Sequence, residues 1–311
     1  MQLLIPFAAP RAAPWAELSG LRLRHLQKLL ARWQPTSRDD GDELSLSPPH
    51  ERALALALGL QGADGALPWA ARSAAADGLR PGNLAWGLLT PAHWHLGTDQ
   101  VSMIDPAALM LNEATSKAFF DAVHELFASQ SWLLAWGAPL RWYAAHESLA
   151  GLPCAALDRV IGRNVDRWLG QDERLRAVRR LQAEVQMLLY NHPLNDAREA
   201  QGLLPVNSFW LSGCGLVQRA DGNAPQVDDR LRAPALVGDW AAWSQAWETL
   251  DEGPMRALLE STRKERGLTL CGDRSAVRLQ PESQTGLAGR VTGLLRSLRA
   301  APAPAAFMEG L

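Results

Sequence analysis

The sequence predicts a mixed α/β protein, a central mixed sheet flanked by helices, and two observations predict it. Short apolar runs bounded by Pro or Gly alternate with longer stretches of helical periodicity through most of the 311 residues. A hydrophobic content of 47% beside 21% charged residues belongs to a chain that buries a core and excludes a disordered one. No internal repeat or interdomain linker stands out. The expectation is one domain over 1–311, divisible into lobes at about 1–150 and 151–297.

Leu3 to Phe7 reads as a first buried strand between turn signals. Leu18 to Trp33 reads as a helix, with Leu26, Leu29 and Leu30 close to one face. Residues 35–49, PTSRDDGDELSLSPP, are polar and Pro-rich and read as a loose surface loop. A helix follows over Glu51–Leu60, and from Trp86 to Asp105 the runs WGLLTP, HWHLG and VSMID read as strands. Asn112 is placed to cap a helix over Glu113–Ala128, whose Phe119, Phe120, Val123 and Phe127 form an apolar stripe. SWLLAWG and LRWYAA, separated by a Pro, read as paired strands. Helices are expected over 153–168 and 172–190, and a strand from Ser208 to Ser212 runs into Gly213-Cys214-Gly215. Helices at 239–250, 253–265 and 284–299 and strands at 268–271 and 276–280 complete the series, with 298–311 a loose tail.

With 31 basic and 33 acidic residues and a net charge of −2, nothing in the charge points to nucleic acid or to an anionic membrane. No apolar run approaches the roughly 20 residues that cross a bilayer. Met1 to Ala9 lacks a basic start and is interrupted by Pro6, so it is a poor signal peptide, and the cytoplasm is the expected location. The lysines are Lys28, Lys117 and Lys264; all other basic side chains are Arg, the bias of a G- and C-rich bacterial coding sequence. Cys154, Cys214 and Cys271 are far apart and odd in number, supporting neither a disulfide framework nor a zinc ribbon. Thirteen Trp stand against two Tyr, and Trp240, Trp243 and Trp247 fall at helical spacing, as core or interface anchors do.

The densest group of special residues is 184–215. His192-Pro193 breaks a helix, Asn195 is placed to cap a short one containing Arg198, and Asn207 follows Pro205. His192, Asn195, Arg198 and Asn207 thus come from loops and helix ends, and such a set suits a phosphate or carboxylate. The same residue types also fix tight turns, and both readings stand at this level. His93 and His95 share a strand face near Asp99 and Asp105, a set that would suit zinc or iron, or simply half-exposed turn residues. Glu184 reads as a partner of Arg180, and Cys214 as a small residue in a tight loop. No phosphate-binding glycine loop, G-x-S-x-G or H-E-x-x-H motif occurs.

The run His192-Pro193-Leu194-Asn195, Arg198, Gly202, Pro205-Val206-Asn207 and Gly213-Cys214-Gly215 resembles a stretch of archaeal-type cofactor-independent phosphoglycerate mutases, enzymes of the alkaline-phosphatase superfamily. Over the whole chain the sequence is similar to the RpfE-type regulatory protein family. Thr90-Pro91-Ala92-His93-Trp94, Asp99, Asp105-Pro106 and Glu184-Val185-Gln186-Met187 carry that likeness together with the same run. The resemblance implies a degenerate alkaline-phosphatase-like fold. In the mutases it implies two divalent metals held by Asp and His, and a Ser or Thr nucleophile. This sequence departs from that pattern. Ala8-Ala9-Pro10 follows the first strand where an Asp is expected, Asp77-Gly78 follows no convincing strand, and no His occurs after His192.

The resemblance with these departures implies a pseudoenzyme: a regulatory or metabolite-binding protein with no cofactor, serving a small phosphorylated or carboxylated metabolite or a protein partner. Two alternatives accompany it. One is an active metal-dependent phosphoglycerate mutase or phosphatase with a site rebuilt from His93, His95, Asp99 and Asp105. The other is a Trp-rich protein-interaction module.

Overall fold

Residues 1–263, 265–281 and 303–311 are described by the computed structural model. In chain order they form β1 (Gln2–Ala9), α1 (Trp15–Gly20), α2 (Arg24–Arg32), β2 (Trp33–Asp40), α3 (Pro49–Leu58) and α4 (Trp69–Ala76). There follow β3 (Trp86–Ala92), β4 (Trp94–Leu96), β5 (Val101–Met103), α5 (Glu113–Ala128), β6 (Leu133–Ala138), β7 (Arg141–Ala145) and α6 (Leu157–Val160). Next are α7 (Leu175–Tyr190), α8 (Pro193–Glu199), β8 (Ser208–Gly215), β9 (Gln226–Val227), α9 (Arg232–Val237) and α10 (Trp240–Leu250). The series ends with α11 (Arg256–Glu260), β10 (Gly267–Gly272), β11 (Ser275–Pro281) and α12 (Pro304–Glu309).

These elements form two compact units, and the chain leaves the first, builds the second and returns. The first holds Met1–Leu44, Pro48–Leu58 and the described residues from Asp221 onward; the second holds Ser45–Ser47 and Gly59–Ala220. The lobes expected at about 1–150 and 151–297 are therefore corrected. Pairing of β1 with β9 and β10 joins the two ends of the chain, which no local pattern in the sequence announces.

The first unit is a mixed sheet in the order β2-β11-β10-β1-β9, flanked by helices. β1 runs parallel to β9 and β10, while β10, β11 and β2 pair antiparallel. β1 is apolar almost throughout because both its faces are covered. Leu3 and Ile5 join Leu26, Leu29, Trp243 and Trp247 in one core, while Leu4 packs with Cys271, Ala276 and Leu54 of α3 on the other face.

Four expectations in this unit are corrected. Residues 35–40 of the expected loop join Trp33 and Gln34 in the edge strand β2, paired with β11, and Pro35 sits at the irregularity in that pairing where no ladder donor is needed. The helix expected from Leu18 to Trp33 is two helices. Gly20 is a weak helix former, and extended backbone at Leu21 turns the chain before α2 begins. The loose tail is α12 over part of its length, with Met308 and Leu311 buried and the Leu311 carbonyl accepting from the Ser275 N–H at 2.8 Å. The helix expected at 253–265 starts as a wide turn over Asp251–Met255, where Pro254 has no N–H to give, and ends at Glu260. The helix expected at 284–299 lies outside the described residues.

The second unit is an antiparallel sheet in the order β6-β7-β3-β8, with the β4–β5 hairpin beside it. The stripe of α5 (Phe119, Phe120, Val123, Phe127) and that of α7 (Val178, Leu181, Val185) pack with Leu89, Phe209 and Leu211 of the sheet. Ala70, Ala71 and Ala74 of α4 pack with Trp86, Tyr143 and Ala145. Asn112 caps α5 as expected, its side chain accepting from the Thr115 N–H at 2.9 Å. The helix expected over 153–168 is reduced to α6 and a tight turn at Val165–Trp168. Gly162, at φ +71°, breaks the run between them. Among the described residues no helix is long and apolar enough to cross a membrane.

Candidate functional site

The residues expected to line a ligand pocket meet at the junction of α7, α8 and β8, and each of them is bonded to backbone. His192, rather than Asn195, is the N-cap of α8, its Nδ1 accepting from the Leu194 N–H at 3.2 Å. Asn195 is buried inside α8: Nδ2 donates to the Leu189 and Val206 carbonyls at 2.9 and 2.8 Å, and Oδ1 accepts from the Val206 N–H at 2.9 Å. Asn207 clamps Trp94 in both directions, accepting from its N–H at 2.7 Å and donating to its carbonyl at 2.9 Å. Arg198 is 4% exposed and donates from Nε to the Leu204 carbonyl at 2.8 Å and from Nη2 to the Leu109 carbonyl at 2.5 Å. Burial holds its pKa below the usual arginine value. Of the two readings open in the sequence, the contacts of Asn195 favour the turn-fixing one, because both its N–H groups and its oxygen are engaged on backbone.

The weak metal candidates do not converge. His93 is tied through Nδ1 to the Pro205 carbonyl at 2.8 Å, and the rings of His93 and His95 lie 6.5 Å apart. His95 and Asp99 are exposed, and Asp105 caps the short turn at Pro106–Leu109 by accepting from the Ala107 N–H at 2.9 Å. Among the described residues the one trio with ligand atoms within 4.8 Å of one another is His25, Asp251 and Glu252. Asp251 has another task there. It is 1% exposed and caps α2, accepting from the His25 and Leu26 N–H groups at 3.0 and 2.7 Å and meeting His25 Nδ1 at 3.1 Å.

Two further positions bear on a two-metal centre. At the end of β1, Phe7 takes the left-handed φ of +55°, and the Phe7 and Ala8 carbonyls accept from Trp243 and Trp247 Nε1 at 3.0 and 3.3 Å. Indoles grip the strand end where the resemblance expects an acid. Asp77 is bound by Arg141 (Nε to Oδ2 3.0 Å, Nη2 to Oδ1 2.7 Å) and by the Tyr143 hydroxyl at 2.6 Å. The hydrogen bond from Arg141 leads in holding the Asp77 pKa below the ordinary carboxylate value, whereas burial pushes the Tyr143 hydroxyl up. Among the described residues these candidates do not converge on a site for a pair of divalent metals.

The arrangement with unspent chemistry is a cleft of the second unit, lined by α7, β8 and the segments around Pro153 and Trp168. About 310 Å³ of space lies within it, counted together with the solvent at its open mouth. Trp168, Trp210, Val178 and Leu211 make its walls apolar, and Cys154, Arg179 and Gln182 also line it. Trp210 is locked by an Nε1 bond to the Ala155 carbonyl at 2.8 Å, and Gln182 by a bond to the Phe209 carbonyl at 3.1 Å. Arg179 is half-buried and gives one terminal nitrogen, Nη1, to the Leu169 and Gly170 carbonyls at 3.3 and 3.2 Å. It has no carboxylate partner among the described residues, so an incoming anion would meet an uncompensated charge beside indole walls. The sequence did carry a signal for this site. Arg179 and Gln182 interrupt the apolar stripe of Leu175, Val178, Leu181 and Val185 on α7.

No family model matches the chain, and no curated protein does. Among solved structures it is similar to the cofactor-independent phosphoglycerate mutase of Thermoplasma acidophilum DSM 1728, at 14% identity and a TM-score of 0.37 over 99% of this chain and 98% of that one. It is also similar to the PH0037 protein of Pyrococcus horikoshii, at 13% identity and a TM-score of 0.39 over 90% of this chain and 87% of that one.

Proposed function

We propose that this protein is a non-catalytic binding protein for a small carboxylate with an apolar body, held in the α7–β8 cleft. The observation that carries this reading is Arg179, a half-buried cation with no acid beside it at the rim of a cleft walled by Trp168 and Trp210. An Arg in such a place binds a carboxylate through charge-assisted hydrogen bonds, and the indoles take up the ligand's apolar portion. The non-catalytic half of the proposal is supported by the dispersal of His93, His95, Asp99 and Asp105. It is supported also by Ala8-Ala9 at the end of β1. A regulatory role, in the manner of the RpfE-type family that the sequence resembles, belongs to the same proposal.

The test is a thermal-shift series with hexanoate, benzoate and 3-phosphoglycerate on the wild type and on Arg179→Gln. A ligand at ten times its Kd stabilises by about 1.4 kcal/mol, which raises Tm by about 2 °C in a chain of this length. Hexanoate or benzoate should give that rise, 3-phosphoglycerate less, and Arg179→Gln should remove it. Equal shifts in wild type and variant would sink the cleft as the site. Stoichiometric manganese or zinc in freshly purified protein, with turnover of phosphoglycerate, would overturn the non-catalytic half.

A further inference from the structure

We infer that Cys154 and Cys214 form an oxidisable dithiol, converted to a disulfide by a small hydroperoxide that enters through the α7–β8 cleft. The two sulfurs lie 3.7 Å apart and are both free thiols. That is thiol contact distance, and a disulfide of about 2.05 Å is reached by closing the gap between two side chains already facing each other. Space for the pair is built in. A Cβ at Gly87 would stand 3.2 Å from the Cys214 sulfur and 2.5 Å from Leu211 Cδ1, so the bare glycine leaves the sulfur room. Gly213, at φ +62°, brings the end of β8 against Trp69 and Ala70 and so fixes where Cys214 points.

The two thiols have different parts. Cys154 lines the cleft and is 7% exposed, whereas Cys214 is fully enclosed. The hydrogen bond to Cys154, and then burial, hold the Cys214 thiol protonated well above its usual range. Cys154, at the cleft, is therefore the sulfur that meets the oxidant, and Cys214 the one that closes the bridge. The Arg174 guanidinium, anchored on the Ala150 carbonyl at 2.8 Å, supplies positive charge to both sulfurs.

In the first step the Cys154 sulfur attacks the hydroperoxide, the O–O bond breaks, and an alcohol (or water, from hydrogen peroxide) leaves. Cys154 becomes a sulfenic acid, oxidised by two electrons. In the second step the Cys214 sulfur attacks that sulfur, the S–O bond breaks, and the hydroxyl leaves as water with the Cys214 proton. Cys271 lies in the first unit, buried beside Leu4 and Ala276, and takes no part. The proposal stands whether or not the cleft binds a carboxylate. It makes the cleft wall redox-dependent, since the bond ties the segment before α6 to the strand that carries Trp210 and Leu211.

The experiment is a thiol count and peptide map of the whole wild-type chain after treatment with hydrogen peroxide, quenched in acid and alkylated in denaturant. The reduced chain should take up three alkyl groups, one for each of its 3 cysteines, and the oxidised chain one. A peptide pair joined through Cys154 and Cys214 should appear and vanish with reductant. Three alkyl groups after peroxide, a joined pair containing Cys271, or a sulfinic acid at Cys154 without any bridge would each overturn the proposal. Cys214→Ser should stop at a Cys154 sulfenic acid trapped by dimedone, and Cys154→Ser should trap nothing at Cys214; the reverse pattern overturns the assigned parts. The wild-type map needs neither variant to fold.

Discussion

Arg198 and Arg179 both bring a guanidinium to backbone carbonyls of the second unit. Arg198 reaches Leu204 and Leu109, and Arg179 reaches Leu169 and Gly170. Arg198 is almost wholly enclosed and its bonds are short; Arg179 is half-exposed, its bonds are long, and it faces an apolar cleft. The first is a structural cation that holds together segments distant in sequence, and the second keeps donors in reserve. The arginine expected from the sequence to hold a ligand is thus the one less available to it.

Substitutions separate the two arginines. Arg198→Ala leaves carbonyls unsatisfied and a void in the core, and should cost about 3 kcal/mol in denaturant unfolding. Arg198→Lys should recover only part of that, because a single ammonium cannot reproduce the fork. Asn195→Ala, which frees one buried N–H and two carbonyls, should cost about 2 kcal/mol in the same measurement. Asp77→Asn should cost about 1 kcal/mol and remove a pH dependence. The Asp77 pKa is depressed in the folded state. Its contribution is therefore complete above the ordinary carboxylate pKa of about 4 and is lost as pH falls through the lower folded value. Thermal unfolding of wild type and variant between neutral pH and pH of about 3 checks that sign. Arg179→Gln should change stability by under about 0.5 kcal/mol while abolishing the hexanoate shift. If it costs as much as Arg198→Ala, the two arginines do not differ in kind.

Local signals were legible and distant ones were not. The Asn112 cap and the aromatic stripe of α5 are contained in one stretch of chain, so the sequence places that helix within a residue of its bounds. β1 was readable as a run of apolar residues between turn signals. β2 was not, since WQPTSRDD has strand character only through pairing with β11, some 240 residues on. The same holds for the site. His192, Asn195, Arg198 and Asn207 stand out as residue types, yet which atoms they meet is decided by Leu109, Trp94 and Val206. Arg179 belongs to no motif, and only its place on the apolar stripe of α7 sets it apart from the other arginines of that helix. Cys154 and Cys214, separated by 60 residues, share no spacing that a motif describes.

The interleaving of the two units has a consequence for how the protein comes into being on the ribosome. Nearly all of the second unit is one continuous stretch, Gly59–Ala220, so its sheet has every strand once β8 has emerged. β1 is made first but finds its neighbours, β9 and β10, near the end of synthesis. Until then an apolar strand, written for burial on both faces, waits without a sheet, its closure deferred by the long span between its partners. Nascent chains halted after Ala220 should hold a closed second unit and a first strand still protease-sensitive, the order of assembly being the reverse of the order of the sequence.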